Sequence, residues 1–143
     1  MKLSRTVSYA VRAMVQLAQS DPDTPVPCSR LASRGDMPER FLLQILRVLV
    51  TQGILRSTRG VDGGYSLTRP PDQISLLDVI EAIEGPLAAE TPDKAPQAPP
   101  EDKLRLALWQ ITRNVRQNLE SIKLSQLVEP PEIPEPPPPD SPK

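Results

Sequence analysis

Glu39, Arg40, Leu43, Gln44 and Arg47 recur at steps of three and four residues, the spacing that lines side chains along one face of a helix. An Arg offers a fork of donors that matches the O6 and N7 acceptors of guanine. A Gln offers one donor and one acceptor that match the N6 and N7 of adenine. Further along, Arg59 opens the run Arg59-Gly60-Val61-Asp62-Gly63-Gly64. Its glycines permit positive φ and close approach of backbone to a phosphate. An Arg on such a turn can enter the minor groove, where negative potential is strongest at narrow A·T tracts. Gly60, with Ser29, Arg30, Arg56 and Arg69, completes a set of candidate phosphate contacts. The chemistry of this set is hydrogen bonding and charge pairing, with no bond made or broken. A plainer reading makes Arg40 and Gln44 a solvated helix face, Leu43 a core residue and Arg59 an exposed hairpin side chain.

Other chemistry finds little support. The chain has one Cys and no His among its 143 residues. One thiol cannot build an intrachain disulfide framework or a multi-cysteine metal site, and the commonest general base and metal ligand is absent. No nucleophile–base pair, phosphate loop or metal-ligand cluster stands out, so the chain reads as a non-enzyme with no cofactor. Cys28 follows Pro27 at the start of a short helical segment. A helix N-terminus lowers a thiol pKa, so a redox switch there is one reading. A small packing residue is the other.

The elements that must carry these residues follow from periodicity. A first helix is predicted from Ser4 to Gln19, with Val7, Ala10, Val11, Met14, Leu17 and Ala18 on one face. Asp21-Pro22-Asp23 ends it. A short second helix starts near Ser29. Arg34-Gly35-Asp36 breaks it, with Gly35 suited to positive φ. A third helix runs from Pro38 to about Gln52 and is capped by Gly53; Phe41, Leu42, Ile45, Leu46, Leu49 and Val50 form its apolar face. Two helices joined by a tight turn read as helix-turn-helix. Ile54-Leu55-Arg56-Ser57 and Tyr65-Ser66-Leu67 flank the glycine turn as a β-hairpin, which makes a wing. A fourth helix spans roughly Ser75 to Glu84, with Ser75 as N-cap and Asp78 three residues on; Leu76, Val79, Ile80 and Ile83 give its apolar face.

Composition changes sharply beyond residue 86. Residues 87–100 read as a Pro-rich linker, 101–128 as a helix, and 129–143, with eight Pro in fifteen positions, as a disordered or polyproline-II tail. In the helix, Leu104, Leu108, Ile111, Val115, Asn118 and Ile122 alternate three- and four-residue steps. Such a seam suits pairing with a second copy, and one Asn on it can fix register. Packing against its own domain is the alternative. Charge divides along the same line. Residues 1–69 hold ten basic and five acidic side chains; residues 70–143 hold seven and thirteen. A basic half followed by an acidic half suits nucleic acid on one side only. No apolar run approaches the ~18 residues of a membrane span, and no signal core precedes Ser4, so a cytoplasmic location is expected.

The fold class expected is thus mainly α with a small β-hairpin: a winged helix-turn-helix over residues 1–86, then a long C-terminal dimerisation helix. At this level the motifs resemble a known family. Pro38-Glu39-Arg40-Phe41-Leu42-Leu43-Gln44-Ile45-Leu46, Gly53-Ile54-Leu55 and Arg59-Gly60-x-x-Gly63-Gly64-Tyr65-x-Leu67 are similar to the IscR/NsrR/CymR type of bacterial winged-helix regulators. So are Ile74 to Pro86, the opening Met1-Lys2-Leu3-Ser4, and Tyr9-Ala10. The resemblance implies operator binding as a homodimer. Many relatives hold an iron–sulfur cluster on three cysteines after the fourth helix, whereas Leu87 to Asp102 contains none here. In cluster-sensing relatives an acidic residue tends to stand at the place of Leu43, so the resemblance implies a different operator here.

The expectation is a transcription regulator, acting as a repressor, whose partners are double-stranded DNA and a second copy of itself, with no membrane. A small-molecule or protein effector is left open. Two alternatives stand beside it: a winged-helix adaptor that presents its Pro-rich tail to a protein, and a thiol-based redox-sensing regulator working through Cys28.

Overall fold

The computed structural model describes residues 2–87 and 102–128. Most of the expected linker and the whole expected tail lie outside the described residues. The order is α1 (Arg5–Gln19), α2 (Cys28–Gly35), α3 (Glu39–Thr51), β1 (Leu55–Thr58), β2 (Gly64–Leu67), a 3-10 turn (Pro71–Gln73), α4 (Leu76–Glu84), α5 (Lys103–Ser121) and α6 (Leu124–Val128). The protein is mainly helical with one antiparallel hairpin, as the periodicity predicts. Among the described residues no helix is long and apolar enough to cross a membrane.

Local chemistry sets the helix ends. Ser4 caps α1 by accepting from Val7 N at 3.2 Å. Ser75 and Asp78 form the reciprocal capping box on α4: Asp78 N donates to Ser75 Oγ at 3.0 Å and Ser75 N to Asp78 Oδ2 at 2.9 Å. Helix α3 ends as a Schellman motif. Gly53 N donates to Val50 O and Ile54 N to Leu49 O, both at 3.0 Å, with Gly53 at φ +80°.

Two helix ends differ from the sequence reading. Gly35 lies inside α2, which starts at Cys28, and Asp36 takes the left-handed conformation at φ 52°. Asp tolerates that region better than most residues. A Cβ at 35 would stand 2.5 Å from Met37 Cε and 2.9 Å from Gln16 Nε2, so those two side-chain ends would have to shift to admit one. The helix expected over 101–128 is also two helices. It breaks at Ile122 and Lys123, where Leu76 N donates to Ile122 O at 2.8 Å and Leu124 N to Ile74 O at 2.9 Å. Backbone pairing with the start of α4 replaces the helical bonds that this junction gives up.

Hydrophobic burial divides into two clusters. The larger joins Ala10, Met14 and Leu17 of α1, Leu31 of α2, Leu42, Ile45, Leu46 and Leu49 of α3, and Ile54 and Leu55 of the hairpin. Leu124 of α6 is fully enclosed in it beside Ile74. The smaller joins Val7, Leu77, Ile80 and Leu119, so α4 is held between both. Arg116 fastens α5 from outside: its Nη1 donates to Glu81 Oε2 at 2.7 Å and Leu87 O at 3.2 Å.

Candidate nucleic-acid interface

Helix α3 turns its apolar residues inward with little waste. Leu42, Leu46 and Leu49 are fully buried and Ile45 nearly so. The period of 3.6 then obliges the intervening polar residues outward. Glu39, Arg40, Gln44 and Arg47 are exposed, Val48 is 40% exposed, and Leu43 is half-buried. Glu39 sits in the first turn, where the helix dipole favours negative charge. The preceding helix fixes the tilt of α3. Met37 in the turn is buried and donates its N–H to Ala32 O at 2.9 Å, while Gln16 of α1 donates to Leu31 O at 2.9 Å. Ser29 and Arg30 are exposed in the first turn of α2.

The wing is held rigidly to this unit. Its register pairs Leu55 with Leu67, Arg56 with Ser66, Ser57 with Tyr65 and Thr58 with Gly64. Outside the hairpin, Val26 and Tyr65 exchange both backbone hydrogen bonds at 2.9 Å. The segment entering α2 thereby acts as a third, one-residue strand. At the base, Thr68 Oγ1 donates to Gly53 O at 2.8 Å, which ties the wing to the end of α3.

Between α3 and the wing lies an open cleft of about 710 Å³. Arg47 and Thr51 wall it from α3, Ser57, Thr58 and Arg59 from the wing, and Pro27, Cys28 and Tyr65 also line it. The guanidiniums of Arg47 and Arg59 with the hydroxyls of Ser57 and Thr58 suit a chain of phosphates, while Thr51 Oγ1 already donates to Arg47 O at 3.0 Å. The hydroxyls of Thr51, Ser57 and Thr58 are absent from the sequence reading. Only Thr51 had a signal, four residues on from Arg47; the other two join through non-local packing.

Cys28 is half-buried here, with Sγ 3.7 Å from the backbone oxygen of Glu39. Burial raises its pKa, and the Glu39 carboxylate adds to the rise. The helix-terminus argument predicted the opposite direction; loss of solvent outweighs it. Tyr65 is pushed up by burial and then by Cys28, with Arg47 acting the other way.

The remaining candidates divide. Arg56, Arg59 and Gly60 are exposed on the wing. Arg69 is also exposed, with its guanidinium 3.7 Å from Asp78 Oδ2 and donating to Gln73 O at 3.3 Å, away from the cleft lining. On α5, Leu104, Leu108 and Ile111 are 67%, 43% and 58% exposed. Val115 packs beside Leu119, Asn118 is exposed, and Ile122 is half-buried at the helix end.

A family model described as Rrf2, iron-dependent transcriptional regulator, matches residues 3–130. The chain belongs to the Rrf2 family. An HTH-type transcriptional regulator of Synechocystis is 34% identical over 128 residues, covering 89% of this chain and 87% of that one. A Mycobacterium tuberculosis regulator of the same description is 47% identical over 89 residues, covering 62% of this chain and 55% of its own. The chain thus spans about half the length of that Rrf2 relative. Among solved structures, CymR of Bacillus subtilis, a global cysteine regulator, superposes with a TM-score of 0.71 at 28% identity, covering 90% of this chain and 96% of that one. IscR of T. potens gives 0.71 at 29% identity, covering 90% and 86%. These Rrf2 neighbours show the winged-helix fold.

The family description names iron. An iron centre needs a set of convergent thiolate, imidazole or carboxylate ligands. This chain offers one Cys and no His, and among the described residues no three Cys, Asp or Glu side chains converge. The donor set does not fit the group.

Proposed function

We propose that the chain is a sequence-specific transcription regulator that binds a pseudo-palindromic operator as a homodimer and represses by occupying the promoter. The observation that carries this reading is the shared cleft. Arg47 of α3 and Arg59 of the wing face one groove, while Arg40 and Gln44 stand exposed on the adjoining face. In this arrangement α3 enters the major groove, Arg40 and Gln44 read base edges, Leu43 and Val48 meet thymine methyls, and the phosphate strand lies between helix and wing. Arg30, Ser29 and Arg56 contact backbone further out. The exposed stripe Leu104, Leu108 and Ile111 supports the two-fold partner, since apolar side chains of that size in a row seek cover. Two recognition helices then reach half-sites about one DNA turn apart. The donor set leaves regulation to something other than an iron centre.

Mobility shifts on the chain's own promoter region test it. A salt-sensitive shift is expected. Arg40→Ala should cost about 1–3 kcal/mol and relax preference at one base pair per half-site, whereas Arg30→Ala should weaken all sequences alike and lower the salt slope by about one. Absence of a salt-sensitive shift on any genomic fragment defeats the proposal.

A further inference from the structure

The tip of the wing carries a charge that the phosphate-binding reading does not use. Gly60 O accepts from Gly63 N at 3.0 Å, closing a four-residue turn whose two corner residues are Val61 and Asp62. Gly60 has φ +112°, and a Cβ on Gly63 would collide with Thr58 O. The turn is therefore held in one shape by glycines and backbone. It lifts Val61 completely clear of the fold, at 104% exposure, with Asp62 exposed beside it. Among the described residues neither the Asp62 carboxylate nor the Arg59 guanidinium makes a hydrogen bond or ion pair; Arg59 lines the cleft, and Asp62 stands outside its lining.

An acid is the wrong group for a loop that only grips phosphate, because like charges repel. The minor groove supplies one reason to keep it. A·T pairs there present only acceptors, which suit Arg59. G·C pairs add a single donor, the exocyclic N2 amino group of guanine. A carboxylate has only acceptor oxygens, so that amino group is the one base edge in the minor groove that it can pair with. The two charges also pull oppositely on groove shape. A narrow A-tract attracts Arg through its negative potential and repels Asp. Resting on the operator-binding reading above, we propose that Asp62 is a specificity-determining residue: it accepts a hydrogen bond from guanine N2, beside the A·T pairs that Arg59 selects. The wing then reads a mixed step, and Val61 lies against the sugar walls between the two contacts.

Inosine isolates this contact, since it keeps the major-groove edge of guanine and lacks only the N2 amino group. The full-length chain is titrated with its operator duplex and with duplexes carrying inosine at each guanine in the wing-contacting segment. One inosine position should weaken binding by about tenfold. Asp62→Ala should abolish that difference, and Asp62→Asn, which keeps an acceptor, should restore part of it. Thermal unfolding of each variant should match the parent, as the exposed side chain makes no hydrogen bond or ion pair. Equal affinity for guanine and inosine duplexes overturns the proposal. So does an Asp62→Ala variant that binds every duplex more tightly by one common factor, which would make the acid a general brake. A parent chain that binds no duplex at all brings down the operator reading itself, an outcome distinct from both.

Discussion

Helices α3 and α5 are written in similar patterns and meet opposite fates. Both are amphipathic, and both present apolar side chains at steps of three and four. Helix α3 buries Leu42, Ile45, Leu46 and Leu49 within its own chain; α5 buries Leu119 alone and leaves Leu104, Leu108 and Ile111 in solvent. A helix whose apolar face is satisfied internally has only its polar face to offer. That suits recognition of polar base edges. A helix whose apolar face is left over offers that face, which suits a copy of itself. Amphipathic periodicity alone does not separate the two. What separates them is whether enough of the fold is available to cover the stripe.

The comparison can be broken most directly at Leu46, which is fully enclosed. Leu46→Ala should cost about 2–5 kcal/mol of folding stability by denaturant titration, from lost burial and a residual cavity. The assembly state of the folded fraction should not change. A loss under about 1 kcal/mol would show that α3 is not anchored as described. The converse test is Leu108→Glu with Ile111→Glu. Both residues are exposed in the single chain, so unfolding of the monomer should be little changed. Sedimentation should report a monomer, and operator affinity should fall by about a hundredfold or more as the linked second half-site is lost. A variant that stays dimeric would place the partner elsewhere.

Cys28 sharpens the contrast at the scale of one side chain. It lines the cleft yet is shielded, and burial, then Glu39, holds its thiol above the ordinary value. The folded chain therefore retains a proton that the unfolded chain releases at moderately alkaline pH. This contribution to stability is complete below the ordinary thiol pKa and is lost as pH rises through the folded one. Alkylation of Cys28 by iodoacetamide should rise with pH along a curve displaced upward from free cysteine. Displacement downward would revive the reactive-thiol reading.

Much of the fold is legible from local signals. The Ser75–Asp78 capping box, the Gly53 cap and the apolar faces of α1 and α3 depend on neighbours within four or five residues, so they show in the order of residue types. The exposed face of α3 is legible for the same reason. What escapes is set by distant partners. No Gly or Pro marks the break after Ser121; the start of α4 imposes it through Ile122 and Leu124. The left-handed residue that ends α2 is Asp36 rather than the neighbouring Gly35, a choice that residue type alone does not make. Through the pairing of β1 with β2, the hydroxyl residues Ser57 and Thr58 come to line one cleft with Arg47, a meeting that no local signal marks. The ion pair of Arg69 with Asp78, nine residues on, is likewise set by the fold.

The pairing of Leu124 with Ile74 has a consequence for biosynthesis. The residue that seals the centre of the winged helix leaves the ribosome roughly fifty positions after the one it seals. At about 5–20 residues per second, the emerging chain spends seconds with its recognition helix already made and its interior still open. A polypeptide interrupted in that interval carries every DNA-facing side chain but lacks the plug that holds them in register. On the proposed operator-binding function, competence to grip DNA should be withheld until translation has passed α6, and an incomplete copy should compete poorly for the site.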